Sequence, residues 1–211
     1  MCGDPLVIEQ IRVGHDNFCY VVYCPVHKKA AVIDPGFDAT KSLQLLASKN
    51  LMLDYIILTH YHSDHSAEST RIKKLLPSSK IVASEEDGSK LPVKPDIVIT
   101  DGSQLKLGNI RLDFLLTPGH TTGGICIIVD ETAVLTGDTL FIGDCGRTDL
   151  PEGSLAEMFS SLHEKIMRLP DKLIVYPGHD YGEKPFDSLG NQKRTNKTLR
   201  AKDLKEFSKI L

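Results

Sequence analysis

Four metal-ligating side chains fall within six residues at His60, His62, Asp64 and His65. They follow the apolar run Tyr55-Ile56-Ile57-Leu58. Packed against such a run, these groups would repel and desolvate one another without a cation, so the segment Thr59 to His65 reads as the heart of a metal site. Imidazole and carboxylate together suit zinc, iron or manganese, whereas calcium and magnesium favour oxygen alone. In an extended loop the side chains of His60 and His62 can face one ion. Asp64 and His65 continue the turn and can face a second. The remaining candidates are His120 in Thr117-Pro118-Gly119-His120-Thr121, Asp138 in Thr136-Gly137-Asp138-Thr139, and His179 in Tyr176-Pro177-Gly178-His179-Asp180. Asp138, with two oxygens, could bridge both ions. Alone, His120 or His179 would read as a structural or surface histidine; beside the loop they become ligand candidates. His15, His27 and His163 match no such context.

Each candidate follows a strand-like run directly or after a short glycine turn, and a strand end fixes where the next side chain emerges. Cys19 to Tyr23 and Ala30 to Asp34 read as a hairpin, with Asp38 capping a helix that carries Leu43, Leu45, Leu46 and Ala47. Tyr55 to Leu58 is a buried strand and Ser66 to Leu76 a helix. Ile81 to Ala83 and Ile97 to Thr100 are strands, and Leu105 to Leu116 is a hairpin around Gly108-Asn109. Ile125 to Val129 pairs with Ala133 to Leu135. Ser154 to Leu169 is an amphipathic helix, Leu173 to Tyr176 a last strand, and the tail from Arg200 ends in a helix. The alternation predicts an α/β sandwich, two mixed sheets inside and helices outside.

At 211 residues, 41% hydrophobic and 25% charged, the composition is that of a soluble globular chain, and no apolar run approaches a membrane span. A net charge of -3 offers no footprint for nucleic acid. The basic stretch from Lys193 to Lys205, interrupted by Asp203, reads as a solvated helix face. Five cysteines without a C-x-x-C pair argue against a disulfide framework. Cys19 and Cys24 read as core residues. The start, Met1-Cys2-Gly3-Asp4-Pro5, has no signal-peptide pattern, so a cytoplasmic location is the default expectation.

The ordered set T-H-x-H-x-D-H, a lone His, an Asp after Thr-Gly and a final Pro-Gly-His resembles the metallo-β-lactamase superfamily from about Val32 to His179. The resemblance implies a four-layer αββα sandwich, with residues 1–211 forming one such domain and a short C-terminal helical tail. It implies that His60, His62 and His120 hold one metal, that Asp64, His65 and His179 hold the other, and that Asp138 bridges them. Asp34 in Ile33-Asp34-Pro35-Gly36 matches an aspartate that orients a ligand histidine from behind.

True β-lactamases of the superfamily carry cysteine at the bridging position, and flavo-diiron oxidases carry Glu where this chain has His62. Two branches remain. Glyoxalase II-like enzymes hydrolyse glutathione thioesters, and persulfide dioxygenases oxidise glutathione persulfide with O2 on one iron. The expected activity is hydrolysis, with two divalent ions, zinc first, activating hydroxide and Asp64 orienting it. In the dioxygenase alternative a single Fe(II) would sit on His60, His120 and Asp138. A third alternative, a non-catalytic metal-binding scaffold, would be signalled by substituted ligands, and none is substituted. Cys145, Arg147 and Tyr181 are the candidates for contact with a small thiol-derived substrate; a salt bridge to Asp144 or Asp149 is the other reading of Arg147, and a packed thiol that of Cys145. A homodimer is compatible with the chain; neither nucleic acid nor membrane is an expected partner.

Overall fold

The structure is a computed structural model describing residues 6–211; Met1 to Pro5, on which the leader reading and Cys2 rest, lie outside the described residues. Two six-stranded sheets carry the chain. The first runs in the order β1 (Val7–Val13), β2 (Asn17–Cys24), β3 (Lys29–Ile33), β4 (Met52–Ile57), β5 (Lys80–Ser84) and β6 (Ile97–Ile99). The second runs β12 (Asp187–Ser188), β11 (Ile174–Pro177), β10 (Ala133–Gly137), β9 (Ile125–Val129), β8 (Ile110–Leu116) and β7 (Gln104–Leu107). Both are mixed: β1 to β3 are antiparallel and β3 to β6 parallel, while β10 and β11 form a parallel pair among antiparallel neighbours.

Burial shows how the layers stack. Strand β2 is buried along its whole length, so its alternating side chains must serve two cores. Phe18, Tyr20 and Val22 join Phe114, Ile125 and Ile127 of the second sheet in the central layer. Cys19, Val21 and Tyr23 face outward, joining the cluster that holds Leu46 of α1 (Thr40–Ser48) and Ile72 of α3 (Ser69–Leu75). A third cluster covers the other sheet with Met158 of α5 (Leu155–Ser160), Leu189 of α6 (Leu189–Thr195) and Phe207 of α7 (Leu204–Phe207). Helix, sheet, sheet, helix is the predicted αββα order. Each fully buried aliphatic or aromatic side chain contributes about 1.5–3 kcal/mol, so the sandwich is a stiff frame for the loops at its edge.

Several predicted elements differ in detail. Asp38 accepts from Thr40 N at 2.9 Å, but the helix begins only at Thr40. The helix expected over Ser66 to Leu76 is two short ones, α2 (Ser63–Ser66) and α3. Ser154 to Leu169 is helical almost throughout, yet only Leu155–Ser160 is α; a π turn at Ser161–Lys165 and a 3₁₀ turn at Ile166–Arg168 follow. Strands β1 and β12 and helix α6 were not expected. Lys193 is not simply solvated: its ammonium donates to Leu169 O and to Asp171, both at 2.6 Å. Among the described residues no helix is long and apolar enough to cross a membrane, and Cys19, Cys24, Cys126 and Cys145 are buried.

Candidate metal centre

All the candidate ligands emerge at one edge of the sandwich. Thr59 and His60 follow β4, His120 follows β8, Asp138 follows β10 and His179 follows β11. The N-terminus of β2 brings Asn17 to the same edge, where it bridges to His179. Glycine is required where the chains pass closest. A Cβ on Gly178 would lie 2.4 Å from Asp138 Oδ1.

Among the described residues His60 converges with His62 and His120, and Asp64 with His65 and His179; a third set, Asp34 with His60 and His65, joins the two. Facing nitrogens, His62 Nδ1 with His120 Nε2 and His65 Nε2 with His179 Nε2, are 3.0 and 3.2 Å apart. Asp138 lies between the groups: Oδ1 is 3.3 Å from His65 Nε2, and Oδ2 is 3.5 Å from His120 Nε2 and 3.3 Å from His179 Nε2.

The partners behind the rings decide what points inward. His120 Nδ1 donates to Arg147 O at 2.8 Å, His65 Nδ1 to Asp34 Oδ2 at 3.0 Å, and His179 Nδ1 to Asp16 Oδ1 at 3.3 Å. The Thr59 hydroxyl donates to Asp34 at 2.5 Å and so accepts from His60 Nδ1 at 3.1 Å. With a proton held on Nδ1, each of these four rings turns its Nε2 into the centre, where its lone pair would be available to a metal ion. Lone pairs and carboxylates facing one another are stable only around positive charge. His60 Nε2 and Asp138 Oδ1 accordingly are buried without a hydrogen-bond partner, a costly arrangement that a cation would relieve.

The electrostatics split the two groups. Burial, reinforced by neighbouring histidines, pushes His60 and His62 down, so they are neutral ligands. Burial also opposes a charge on His179, but hydrogen bonds to Asp138 and Asp64 overcome it and raise its pKa to about 10. Although burial alone would raise Asp138 and Asp64, His65 and His179 hold both well below the usual carboxylate range. The Asp64 group therefore demands positive charge, which a proton or a metal ion can supply. The donor set fits divalent metal at both places.

Asp34 is buried and left-handed, with φ of 49°. That backbone is uncommon outside glycine and costs of order 1–3 kcal/mol when strained, a cost here offset by its hydrogen bonds. Three further residues at this edge were not anticipated. Asp16 faces His179; Asn17 Nδ2 donates to Asp64 Oδ2 at 3.0 Å; and Asp87, in the short helical turn after β5, binds the ligand loops from behind. No local signal in the sequence marks them, because it is the start of β2, not the end of a strand, that brings Asp16 and Asn17 to this edge.

A cavity of about 330 Å³ opens over the centre, lined by His62, Asp64, His120, Asp138, Arg147 and Tyr181 among others. Tyr181 stacks on His179 with ring centroids 4.8 Å apart, and burial followed by the field of Asp16 lifts its pKa to about 12. Arg147 makes a two-pronged contact with Asp149, at 2.7 and 2.8 Å. Cys145 packs in the outer core cluster and its thiol is pushed up to about 12, mainly by burial.

Comparison with known proteins agrees with this geometry. Residues 13–179 match the metallo-beta-lactamase superfamily. The chain is 32% identical over 212 aligned residues to the mitochondrial persulfide dioxygenase ETHE1 of Homo sapiens, covering 99% of this chain and 82% of that one. It is 36% identical over 178 residues to a hydroxyacylglutathione hydrolase of Photobacterium profundum, covering 83% of this chain and 66% of that protein. The crystal structure of ETHE1 from Myxococcus xanthus superposes with a TM-score of 0.88 at 29% identity, covering 97% and 89% of the two chains. These relatives include both hydrolase and dioxygenase. A match that runs from β1 through the last histidine, on an αββα frame carrying both His/Asp groups, means that this chain belongs to the metallo-β-lactamase superfamily.

Proposed function

We propose that the protein hydrolyses thioesters of a small thiol such as glutathione, using two divalent ions, zinc foremost. The observation that carries this reading is the pair of complete ligand groups, each with lone pairs held inward and both facing Asp138. His60, His62 and His120 would hold one ion, Asp64, His65 and His179 the other, and Asp138 would serve both. Bound there, the ions would bring a water's pKa toward neutrality and polarise the thioester carbonyl. Asn17 fixes one oxygen of Asp64, whose carboxylate is a third exposed to the cavity and is placed to orient that water. Tyr181 lines the same cavity, and its phenol, kept protonated by burial and by Asp16, would be a donor within reach of the substrate's thiol end. A thiol of pKa about 8.5 departs with little proton help. Arg147 is free to exchange partners, since its pair with Asp149 is exposed and screened by water.

Beyond Tyr181 lies a groove of about 520 Å³, lined by Asp144, Lys184, Gln192 and Lys197 among others. It gives room for the elongated arm of the thiol, and Lys184 and Lys197, now paired with Asp187 and Asp144, are exposed cations that could exchange onto its carboxylates. Reversing both charges, Lys184→Glu with Lys197→Glu, is expected to raise KM roughly tenfold with kcat retained, since two exposed charges together contribute about 1–2 kcal/mol. Steady-state kinetics check this, and an unchanged KM removes the groove from the reading.

A second reading has its own support. The match to the persulfide dioxygenase spans nearly the whole chain, whereas the matched hydrolase extends well beyond it. In that reading one iron sits on His60, His120 and Asp138. Metal analysis of the isolated protein separates the two. Two zinc ions with S-lactoylglutathione hydrolysis are expected. One iron with O2 uptake on glutathione persulfide overturns the hydrolase.

A further inference from the structure

Asp87 is buried on α4 (Glu85–Gly88), and its carboxylate faces backbone and hydroxyl donors rather than histidines. Oδ2 accepts from Tyr61 N at 3.2 Å and from the Thr121 hydroxyl at 2.7 Å. Oδ1 accepts from Gly123 N at 2.9 Å, with Lys90 Nζ 3.8 Å away. Tyr61 lies between His60 and His62, and Thr121 directly follows His120. One carboxylate thus ties together the two loops that present the three nitrogens of the first ligand group. The approach is close enough to require glycine, because a Cβ on Gly123 would lie 2.7 Å from Asp87 Oδ1 and 2.3 Å from Ser84 Oγ.

Nothing comparable links Asp87 to the second group. His65 and His179 are held by Asp34 and Asp16, and Asp64 by Asn17. Metal–ligand distances tolerate only about 0.2 Å of error, so the spacing of the two loops translates directly into affinity.

We propose that Asp87 is a positioning residue that sets this spacing, and thereby the affinity of the ion at His60, His62 and His120, without acting on the ion at Asp64, His65 and His179. The inference rests on the two-metal reading above. Asp87→Ala leaves three donors without their acceptor. Asp87→Asn keeps one oxygen, and Thr121→Val removes a single arm.

Zinc titration against a competing chelator, with the metal-free melting temperature recorded for each variant, tests the assignment. The His179→Ala background isolates the first ligand group and His62→Ala the second. In the first background Asp87→Ala is expected to weaken zinc about 10–100-fold, with Asp87→Asn and Thr121→Val falling between it and the parent. In the second background affinity is expected to stay within twofold. Equal losses in both backgrounds, or a lower melting temperature with unchanged zinc affinity in the first, overturn the proposal. Wild-type protein that takes up one ion in total overturns the two-metal reading alone. In that case Asp87→Ala weakening that ion supports the positioning role, and an unchanged affinity overturns it.

Discussion

Asp138→Ala is expected to abolish activity, by about 10³-fold or more, under the hydrolase and the dioxygenase readings alike. Its carboxylate faces nitrogens of both ligand groups. Without it the first group is reduced to three imidazoles with no carboxylate, while the second keeps the charge of Asp64. The first ion should therefore be lost preferentially. Losing Lewis-acid stabilisation worth several kcal/mol translates into at least three orders of magnitude in rate. Metal analysis and single-turnover assays on folded Asp138→Ala protein, with its fold checked by circular dichroism, measure both effects. An Asp138→Ala protein that keeps its metal and its activity sinks the shared centre.

The second large effect concerns a residue that touches neither cavity nor ion. Asp34→Asn preserves shape, and asparagine tolerates the left-handed backbone at φ 49°. What changes is the proton inventory. Asp34 accepts from Thr59 N at 2.8 Å, from the Thr59 hydroxyl, and from His65 Nδ1. If the new amide nitrogen faces His65, it donates to Nδ1 and drives the ring proton onto Nε2, where the lone pair is needed. If it faces Thr59 N instead, two buried donors oppose one another at a cost of about 1–3 kcal/mol. Either orientation is expected to weaken the ion at Asp64, His65 and His179 about 10–100-fold. Chelator competition measures the affinity, and nitrogen NMR of His65 reports the tautomer. Wild-type affinity together with an unchanged tautomer would show that Asp34 does not orient this ring.

The histidine loop was legible because its meaning is local: ligand types at close spacing after a buried strand imply a cation wherever the chain folds. The hairpins and buried strands were legible for the same reason. Strand β1 was not, because Glu9, Gln10 and Arg12 interrupt its apolar pattern, as suits an edge strand. The π turn in the long helix escaped as well. Met158, Leu162 and Ile166 are all fully buried, a four-residue step that an α-helix drifts away from and one wider turn restores. Asp16, Asn17 and Asp87 carry no local signature. Their importance comes from the loops that the sheets set beside them.

By itself, therefore, the sequence determined the kind of chemistry: imidazoles and carboxylates in numbers that only metal ions reconcile, delivered from strand ends. The tertiary structure decided which nitrogen of each ring is available. A ring's tautomer depends on the partner behind it, and those partners come from distant segments: Asp34 for His65, Asp16 for His179 and the carbonyl of Arg147 for His120.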